Sequence, residues 1–276
     1  MDHAPNDGAE VFIRSPRAIE MDTEEILEKL ERYGNEAART YLEYLVLTRE
    51  SDRAEHHTRL ACSYVRDVKQ ALGTVQDGEM QKLVAGFKQS IHPTIIGGHD
   101  QTFVAYLGRH QETELIRRRL LLIRLLQRSS LYDPERLFQE ISEAGPLNIE
   151  MVILYGRMKK HEEALQILIH ELEDFVGAET YCVTNGYSTG AVPDILPIQG
   201  PVVTPARTSS LNRSTDKSLS KKKKKKATSV ADNNKEPKPP FTQEQVSQQL
   251  NERRQLFSML LKTYLAIKER GWWTVD

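Results

Sequence analysis

The chain has 276 residues, 38 of them lysine or arginine and 39 acidic, which gives a formal net charge of -1. Only 39% of the residues are hydrophobic, and the mean hydropathy is -0.53. The longest apolar run, residues 120–126, is interrupted by Arg124 and is far shorter than the ~20 residues that a membrane-spanning helix needs. Cys62 and Cys182 are too few for a disulfide framework or a four-cysteine zinc site. We therefore expect neither a membrane-spanning nor a disulfide-stapled secreted protein.

The charges are distributed unevenly along the chain. Residues 188–240 hold 11 basic and four acidic residues, seven of the 12 prolines and no aromatic residue. Such a stretch buries too little surface to offset the conformational entropy lost on ordering, so we predict a disordered polybasic insert. The remaining chain then divides into a disordered N-terminus (1–8), a folded body (9–187) and a C-terminal helix within 241–276 that packs back on the body.

Helical periodicity dominates the first half of the body. Before it, residues 9–16 are predicted to be extended, with one short strand near Val11 to Arg14. Asp22 is the predicted N-cap of the first helix, with Glu25 at capping-box spacing, and Gly34 is its predicted end. Apolar residues then recur at helical spacing in residues 35–50, 53–72, 101–110 and 112–130. Between Gly73 and Gly98 the pattern is weak, and scattered apolar residues predict one short helix at about 79–88 and a loop.

The second half of the chain continues the same pattern. Asp133 and Pro134 predict a helix start, because a proline at the first helical position lacks only an N–H that would be unpaired anyway. Residues 147–174 predict two antiparallel helices with a turn near Lys160, and residues 242–270 predict one long helix. Short amphipathic helices joined by short loops are typical of an all-α fold, an α-solenoid of stacked helical hairpins; an irregular helical bundle is the structural alternative.

The sequence contains no recognisable catalytic motif. It has neither a phosphate-binding loop nor a Gly-x-Ser-x-Gly nucleophile motif. His161 opens "HEEAL", but Leu165 stands where a zinc-binding helix has its second histidine. The rings of the adjacent His56 and His57 point about 100° apart on a helix and make a poor metal site. We therefore expect no enzyme, no metal and no cofactor.

A run of six consecutive lysines is the strongest local signal. It is consistent with a nuclear-import signal, a contact to anionic lipid, a contact to nucleic acid, or a solvated low-complexity insert without a specific role. Because no aromatic residue interrupts the lysines, there is no platform on which bases can stack, and a nucleic-acid partner is not expected. A nuclear scaffold or adaptor, imported through this run, is the alternative function. The candidate lipid or import residues are Lys221, Lys222, Lys223, Lys224, Lys225 and Lys226.

The turn "RMKKHEE" is the candidate protein-interaction site, because it displays charged side chains between two amphipathic helices. The alternative interpretation is that these charges only keep the edge of the solenoid soluble. The candidate residues are Arg157, Lys159, Lys160, Glu162 and Glu163.

An ordered series of segments resembles a known family. It is the family of vacuolar sorting and TGF-beta receptor-associated proteins, subunits of the CORVET and HOPS vesicle-tethering complexes, and specifically their α-solenoid of clathrin-heavy-chain-like repeats. The segments are "YLEYLV", "HHTRLACSYV", "LLQRSSLYDPERLFQEI", "LYGRMKKHEEALQILIHELEDFVGAETYC" and "LFSMLLKTYL".

The resemblance implies a non-enzymatic scaffold that acts in vesicle-mediated transport and membrane fusion. Its implied partners are other tethering-complex subunits and a Rab GTPase, and its implied location is cytoplasmic, peripheral on the endosome or the vacuole (lysosome) membrane. Members of the family usually begin with a β-propeller and continue beyond the last matching helix. The sequence has neither part, so we expect it to correspond to a truncated portion of such a subunit.

Overall fold

The computed structural model describes residues 6–15, 21–74, 78–91, 101–143, 147–195 and 243–269. These ranges are 77% helical and contain no β-strand, which confirms the all-α prediction. The helices are α1 (Asn6–Arg14), α2 (Thr23–Tyr33), α3 (Asn35–Glu43), α4 (Ala54–Gly73), α5 (Glu79–Ser90), α6 (Phe103–Arg109), α7 (Glu114–Arg128), α8 (Pro134–Ser142), α9 (Asn148–Arg157), α10 (His161–Gln166), α11 (Phe175–Val183) and α12 (Gln243–Glu269).

Capping residues set several helix boundaries where the sequence predicts them. The Asp22 carboxylate accepts a hydrogen bond from the Glu24 N–H at the start of α2, and the Asp133 carboxylate accepts one from the Arg136 N–H at the start of α8. Gly34 separates α2 from α3 with a φ of 142°, in a region that favours glycine, and its N–H donates to the Leu30 carbonyl. Short-range side-chain chemistry therefore fixes these boundaries.

The N-terminal segment is a helix, so the prediction of an extended segment with a strand near Val11 to Arg14 is wrong. Helix α1 begins at Asn6, inside the range 1–8 that we expected to be disordered. Ala9 is fully buried, and Phe12 and Ile13 pack against the same core. These three residues follow a spacing of three and four, which a helix brings to one face and a strand does not. Burial of that face against α2 and α3 decides the conformation.

The predicted insert begins later than its composition indicates. Residues 188–195 bend at Thr189 and Gly190 and lie on α6 and α7, where Val192 and Ile195 pack against the core. The prediction of disorder is therefore wrong for these eight residues, because apolar contacts and hydrogen bonds offset their ordering entropy.

The polybasic run falls outside the part of the chain that the structure describes, which omits residues 196–242. The contact to anionic lipid or to the import machinery stays a prediction from the sequence alone. It concerns Lys221, Lys222, Lys223, Lys224, Lys225 and Lys226.

The helices form a stack in which α4 packs past α5 and α6 onto later helices. Helix α3 packs on α2 and α4, α4 packs on α7 and α8, and α9 packs on α7, α8 and α10. Helix α12 packs on α10 and α11, where it buries Leu256 and Leu260. Each helix thus contacts mainly its neighbours in the stack, as in an α-solenoid.

Two hairpins of the stack end in the same local structure. Helices α3 and α10 both continue into a five-residue π-helical turn, at Tyr44–Thr48 and Ile167–Glu171. A glutamate in the left-handed region follows each turn, Glu50 with φ 51° and Glu173 with φ 59°. The next N–H then donates back to a carbonyl of the helix, Ser51 to Leu45 in one hairpin and Asp174 to Leu168 in the other. The same supersecondary unit therefore recurs along the chain.

Asp174 joins the start of α11 to the start of α6. One carboxylate oxygen accepts a hydrogen bond of 2.7 Å from the Gly177 N–H, and the other accepts one of 2.8 Å from the Phe103 N–H. The side chain is buried, and this burial raises its pKa to about 6 against the opposing effect of the two N–H donors. A single carboxylate thus closes two helix ends that are far apart in sequence.

A buried ion pair joins α7 to α9. The Arg119 guanidinium donates from Nε and Nη2 to the two oxygens of Glu150, each at 2.8 Å, and both side chains are 0% exposed. The geometry is bidentate, the strongest arrangement for these two groups. Because neither charge reaches water, each depends on the other for its solvation.

Removing one partner of this pair should therefore be far more costly than removing both. We expect Glu150→Ala or Arg119→Ala to lower the free energy of unfolding by about 3–5 kcal/mol, since an unpaired charge then stays buried. The double variant Arg119→Met, Glu150→Met should recover most of that loss. Urea unfolding followed by circular dichroism measures both effects. The control is Arg128→Met, which replaces an exposed arginine of α7. Single variants that cost less than about 1 kcal/mol would contradict this account.

Candidate protein-interaction surface

The turn between α9 and α10 is closed by main-chain hydrogen bonds. The Lys159 N–H donates to the Gly156 carbonyl at 3.2 Å, and the Lys160 N–H donates to the Tyr155 carbonyl at 2.8 Å. Lys159 has φ 61°, a left-handed conformation that glycine usually supplies at the end of a helix. The chain thus holds a lysine where a glycine would be less strained, which keeps a long cationic side chain at the tip of the hairpin.

The two lysines of the turn are exposed and lie near aromatic rings. The Lys159 Nζ is 5.8 Å from the centroid of the Tyr187 ring, and the Lys160 Nζ is 5.9 Å from that of Phe138. Tyr187 is itself 46% exposed, so cation and ring are both accessible from solvent. Contacts of this length are weakly attractive and restrict each lysine to one side of the turn.

Two exposed glutamates complete the surface. Glu162 and Glu163 occupy the first turn of α10, where the positive end of the helix dipole favours carboxylates. The predicted solvent exposure of Lys159, Lys160, Glu162 and Glu163 matches their positions in the structure. The four side chains form a mixed-charge surface with two cations and two anions.

Arg157 does not belong to this exposed surface, so the expectation that it faces solvent is wrong. Its Nη2 donates to the carbonyls of Leu126, Gln127 and Ser129, at 3.3, 3.3 and 2.9 Å. Leu126 and Gln127 lie in the last turn of α7 and Ser129 follows it, so no N–H of the helix donates to these carbonyls. The guanidinium also lies 4.9 Å from the centroid of the Tyr187 ring. Arg157 therefore caps α7 and positions Tyr187 beside the turn.

The histidines that the sequence singles out have protein partners. His161 Nδ1 lies 2.8 Å from the Tyr181 hydroxyl, and burial, reinforced by the nearby Lys159 charge, lowers its pKa. His57 lies between the Ser129 hydroxyl and the Ser51 carbonyl, at 2.8 and 2.7 Å. Among the described residues, no group of histidine, cysteine and acidic side chains has the arrangement of a metal site.

His56 completes this network on the other face of α4. Its Nδ1 lies 2.8 Å from the Ser51 hydroxyl and its Nε2 lies 3.3 Å from Glu24 Oε1. Burial lowers its pKa against the effect of the Glu24 carboxylate. The adjacent pair His56 and His57 thus fastens the loop before α4 to two different neighbours.

No helix within the described ranges combines the length and the apolar character that crossing a bilayer requires.

The role assigned to Arg157 predicts a loss of stability on substitution. Arg157→Ala should lower the free energy of unfolding by about 2 kcal/mol, because several carbonyls lose a charged donor. Arg157→Lys should recover only part of this loss, since an ammonium group cannot serve carbonyls that a planar guanidinium spans. Chemical denaturation measures the effect, with Arg128→Ala as the matched loss of one exposed charge. Equal stability of Arg157→Ala and the unmodified chain would contradict the capping role.

Comparison with known proteins places the chain among vacuolar sorting proteins. It is 31% identical over 189 residues to transforming growth factor-beta receptor-associated protein 1 of Mus musculus, which covers 67% of this chain and 18% of that protein. It is 30% identical over 177 residues to vacuolar sorting protein 3 of Arabidopsis thaliana, covering 64% and 16%. It is 30% identical over 179 residues to the Vam6/Vps39-like protein of Homo sapiens, covering 64% and 18%.

No protein-family model and no solved structure matches the chain. The chain spans less than one fifth of the length of these three relatives, of which it covers 18%, 16% and 18%. The identity nevertheless extends over about two thirds of the chain in proteins of mouse, human and plant origin. The chain belongs to the family of vacuolar sorting and TGF-beta receptor-associated proteins.

Proposed function

We propose that this chain is a non-enzymatic scaffold within a vesicle-tethering complex of the CORVET or HOPS kind, acting in endosomal and vacuolar transport. The observation that carries the proposal is its relationship to vacuolar sorting proteins together with an all-helical stack. Stacked hairpins offer long exposed surfaces rather than an enclosed cavity, and such surfaces suit protein partners. The proposed partners are other tethering-complex subunits and a Rab GTPase.

The proposed location is cytoplasmic, peripheral on the endosomal or vacuolar membrane. Attachment would come through the partner proteins, and the lysine run 221–226 would add a contact to anionic lipid. The chain covers less than one fifth of its relatives. Its proposed role is therefore that of one scaffold segment, with partner contacts of its own.

Within the stack, we place one partner contact on the surface formed by Lys159, Lys160, Glu162 and Glu163. Three features support this choice. The side chains are exposed, the left-handed Lys159 fixes the tip of the hairpin at an energetic cost, and an accessible tyrosine lies beside the lysines. Strained residues concentrate at sites where a fixed geometry serves binding. Arg157 positions Tyr187 beside this surface, and in this proposal it does not contact the partner protein.

Charge reversal tests this contact. We expect Lys159→Glu with Lys160→Glu to weaken the capture of tethering subunits from cell extract about tenfold while helicity stays unchanged. The effect should shrink as salt is raised, because exposed charges are screened over about 10 Å at 0.1 M. The matched control is Lys29→Glu with Lys82→Glu, which makes the same charge change at exposed positions of α2 and α5.

This experiment tests the scaffold function and the choice of surface separately. Failure of the unmodified chain to recover any tethering subunit would refute the scaffold function. Equal capture by both double variants would leave the function in place and refute the choice of surface. Recovery is read by mass spectrometry of the bound proteins at two salt concentrations.

A further inference from the structure

The segment 188–195 is bound to α6 and α7 mainly through its main chain. Three carbonyls of this segment accept hydrogen bonds from side chains of the helices and of the loop between them. The bonds are Gln127 Nε2 to the Gly190 carbonyl at 3.2 Å, Arg124 Nη2 to the Pro193 carbonyl at 3.0 Å, and Gln111 Nε2 to the Asp194 carbonyl at 2.9 Å. Because every peptide offers the same carbonyls, these contacts can hold an extended chain of another sequence.

The shape of the surface on α6 and α7 favours particular side chains in the segment. A Cβ atom on Gly108 would lie 2.1 Å from Pro193 Cγ, so the glycine in α6 makes the space in which the proline ring lies. Glycine is less favourable than alanine in the interior of a helix, so its presence at this position has an energetic cost. Val192 and Ile195 are partly buried against the core on either side of the proline. The surface thus fits a proline flanked by apolar residues.

The acidic residue of the segment adds little to this fit. Asp194 is exposed, and one of its carboxylate oxygens lies 3.8 Å from Arg124 Nη2, a distance at which an exposed pair contributes little. Recognition therefore rests on main-chain carbonyls, on the proline and on the two apolar neighbours. A short peptide of another protein can carry all of these features.

We propose that the surface between Gly108 of α6 and Gln127 of α7 is a binding site for an extended, proline-containing peptide with apolar residues on both sides of the proline. Residues 190–195 occupy this site in cis, and a partner peptide of the same chemistry takes their place. The site is built by α6 and α7 and includes none of the charged residues of the turn between α9 and α10. A segment tethered next to its own site has an effective concentration near the millimolar range, so the cis segment limits access to the site.

A peptide that copies residues 188–195, STGAVPDI, tests the site directly. The receptor is the full chain in which residues 190–195 are replaced by Ser-Gly-Ser-Gly-Ser-Gly. We expect the labelled peptide to bind this receptor with a Kd on the order of 100 µM, as suits a short peptide with few anchors. Binding to the unmodified chain should be at least about tenfold weaker, because the site is occupied. Fluorescence anisotropy measures both.

Gly108→Ala in the same receptor is the decisive control. Alanine improves helix propensity, so α6 should remain folded, yet its Cβ takes the space of the proline ring. We expect peptide binding to fall at least about tenfold, and Pro193→Ala in the peptide to have a similar effect. Asp194→Asn in the peptide should change the affinity less than about twofold.

Three results would overturn the proposal. They are no binding of the peptide to a folded receptor at about 1 mM, binding that Gly108→Ala leaves unchanged, and equal binding of the Pro193→Ala peptide. If the replaced chain fails to fold by circular dichroism, the full chain carrying only Pro193→Ala becomes the receptor, because that change weakens the cis contact but keeps its main-chain hydrogen bonds. Absence of binding to that receptor at about 1 mM peptide also overturns the proposal.

Discussion

The buried pair of Arg119 and Glu150 is the interaction on which the rest of the stack depends. It lies between α7 and α9, two helices through which the first half of the chain contacts the second. A pair without access to water tolerates little displacement, since each charge depends mainly on the other for its solvation. The pair therefore fixes the position of α9 along α7, and with it the hairpin that carries the candidate interaction surface.

Two further polar contacts cross the same boundary. Arg157 of α9 caps the end of α7, and Asp174 at the start of α11 accepts a hydrogen bond from the start of α6. In each contact a charged side chain from the second half binds a helix end in the first half. Apolar packing alone lets helices slide by a turn, whereas directional bonds to main-chain groups do not. The stack thus combines unspecific apolar burial with a few contacts that define its register.

The helices of the fold were predictable because their signals are local. Periodic apolar residues, N-caps such as Asp22 and Asp133, and Gly34 act within one or two turns of chain. Helix α1 was missed because a short apolar run is compatible with strand and helix alike, and only its packing on α2 and α3 decides between them. The burial of Arg119 could have been predicted, because it lies four residues after Leu115 on the apolar face of α7. We did not predict it because Arg119 is the last of three consecutive arginines, a run that suggests an exposed charged surface.

The candidate surface was only partly predictable, for a physical reason. The exposure of Lys159 and Lys160 follows from their place in a turn, but Arg157 in the same run binds carbonyls at the end of α7 that come 28 to 31 residues earlier in the chain. The peptide-like segment 188–195 was hidden in a similar way. Composition averaged over a long polar stretch conceals a few apolar residues at its start, and the side chains that bind them lie on α6 and α7.

Native-state hydrogen exchange tests most directly whether the stack behaves as one unit. If the buried pair and the two polar contacts join the halves, the slowest amides of α4, α7 and α9 should exchange through one shared opening with the same free energy. That free energy should fall equally for all three helices as urea is added. Exchange of α9 to α11 through a separate opening of clearly lower free energy, with α4 and α7 still protected, would contradict the account.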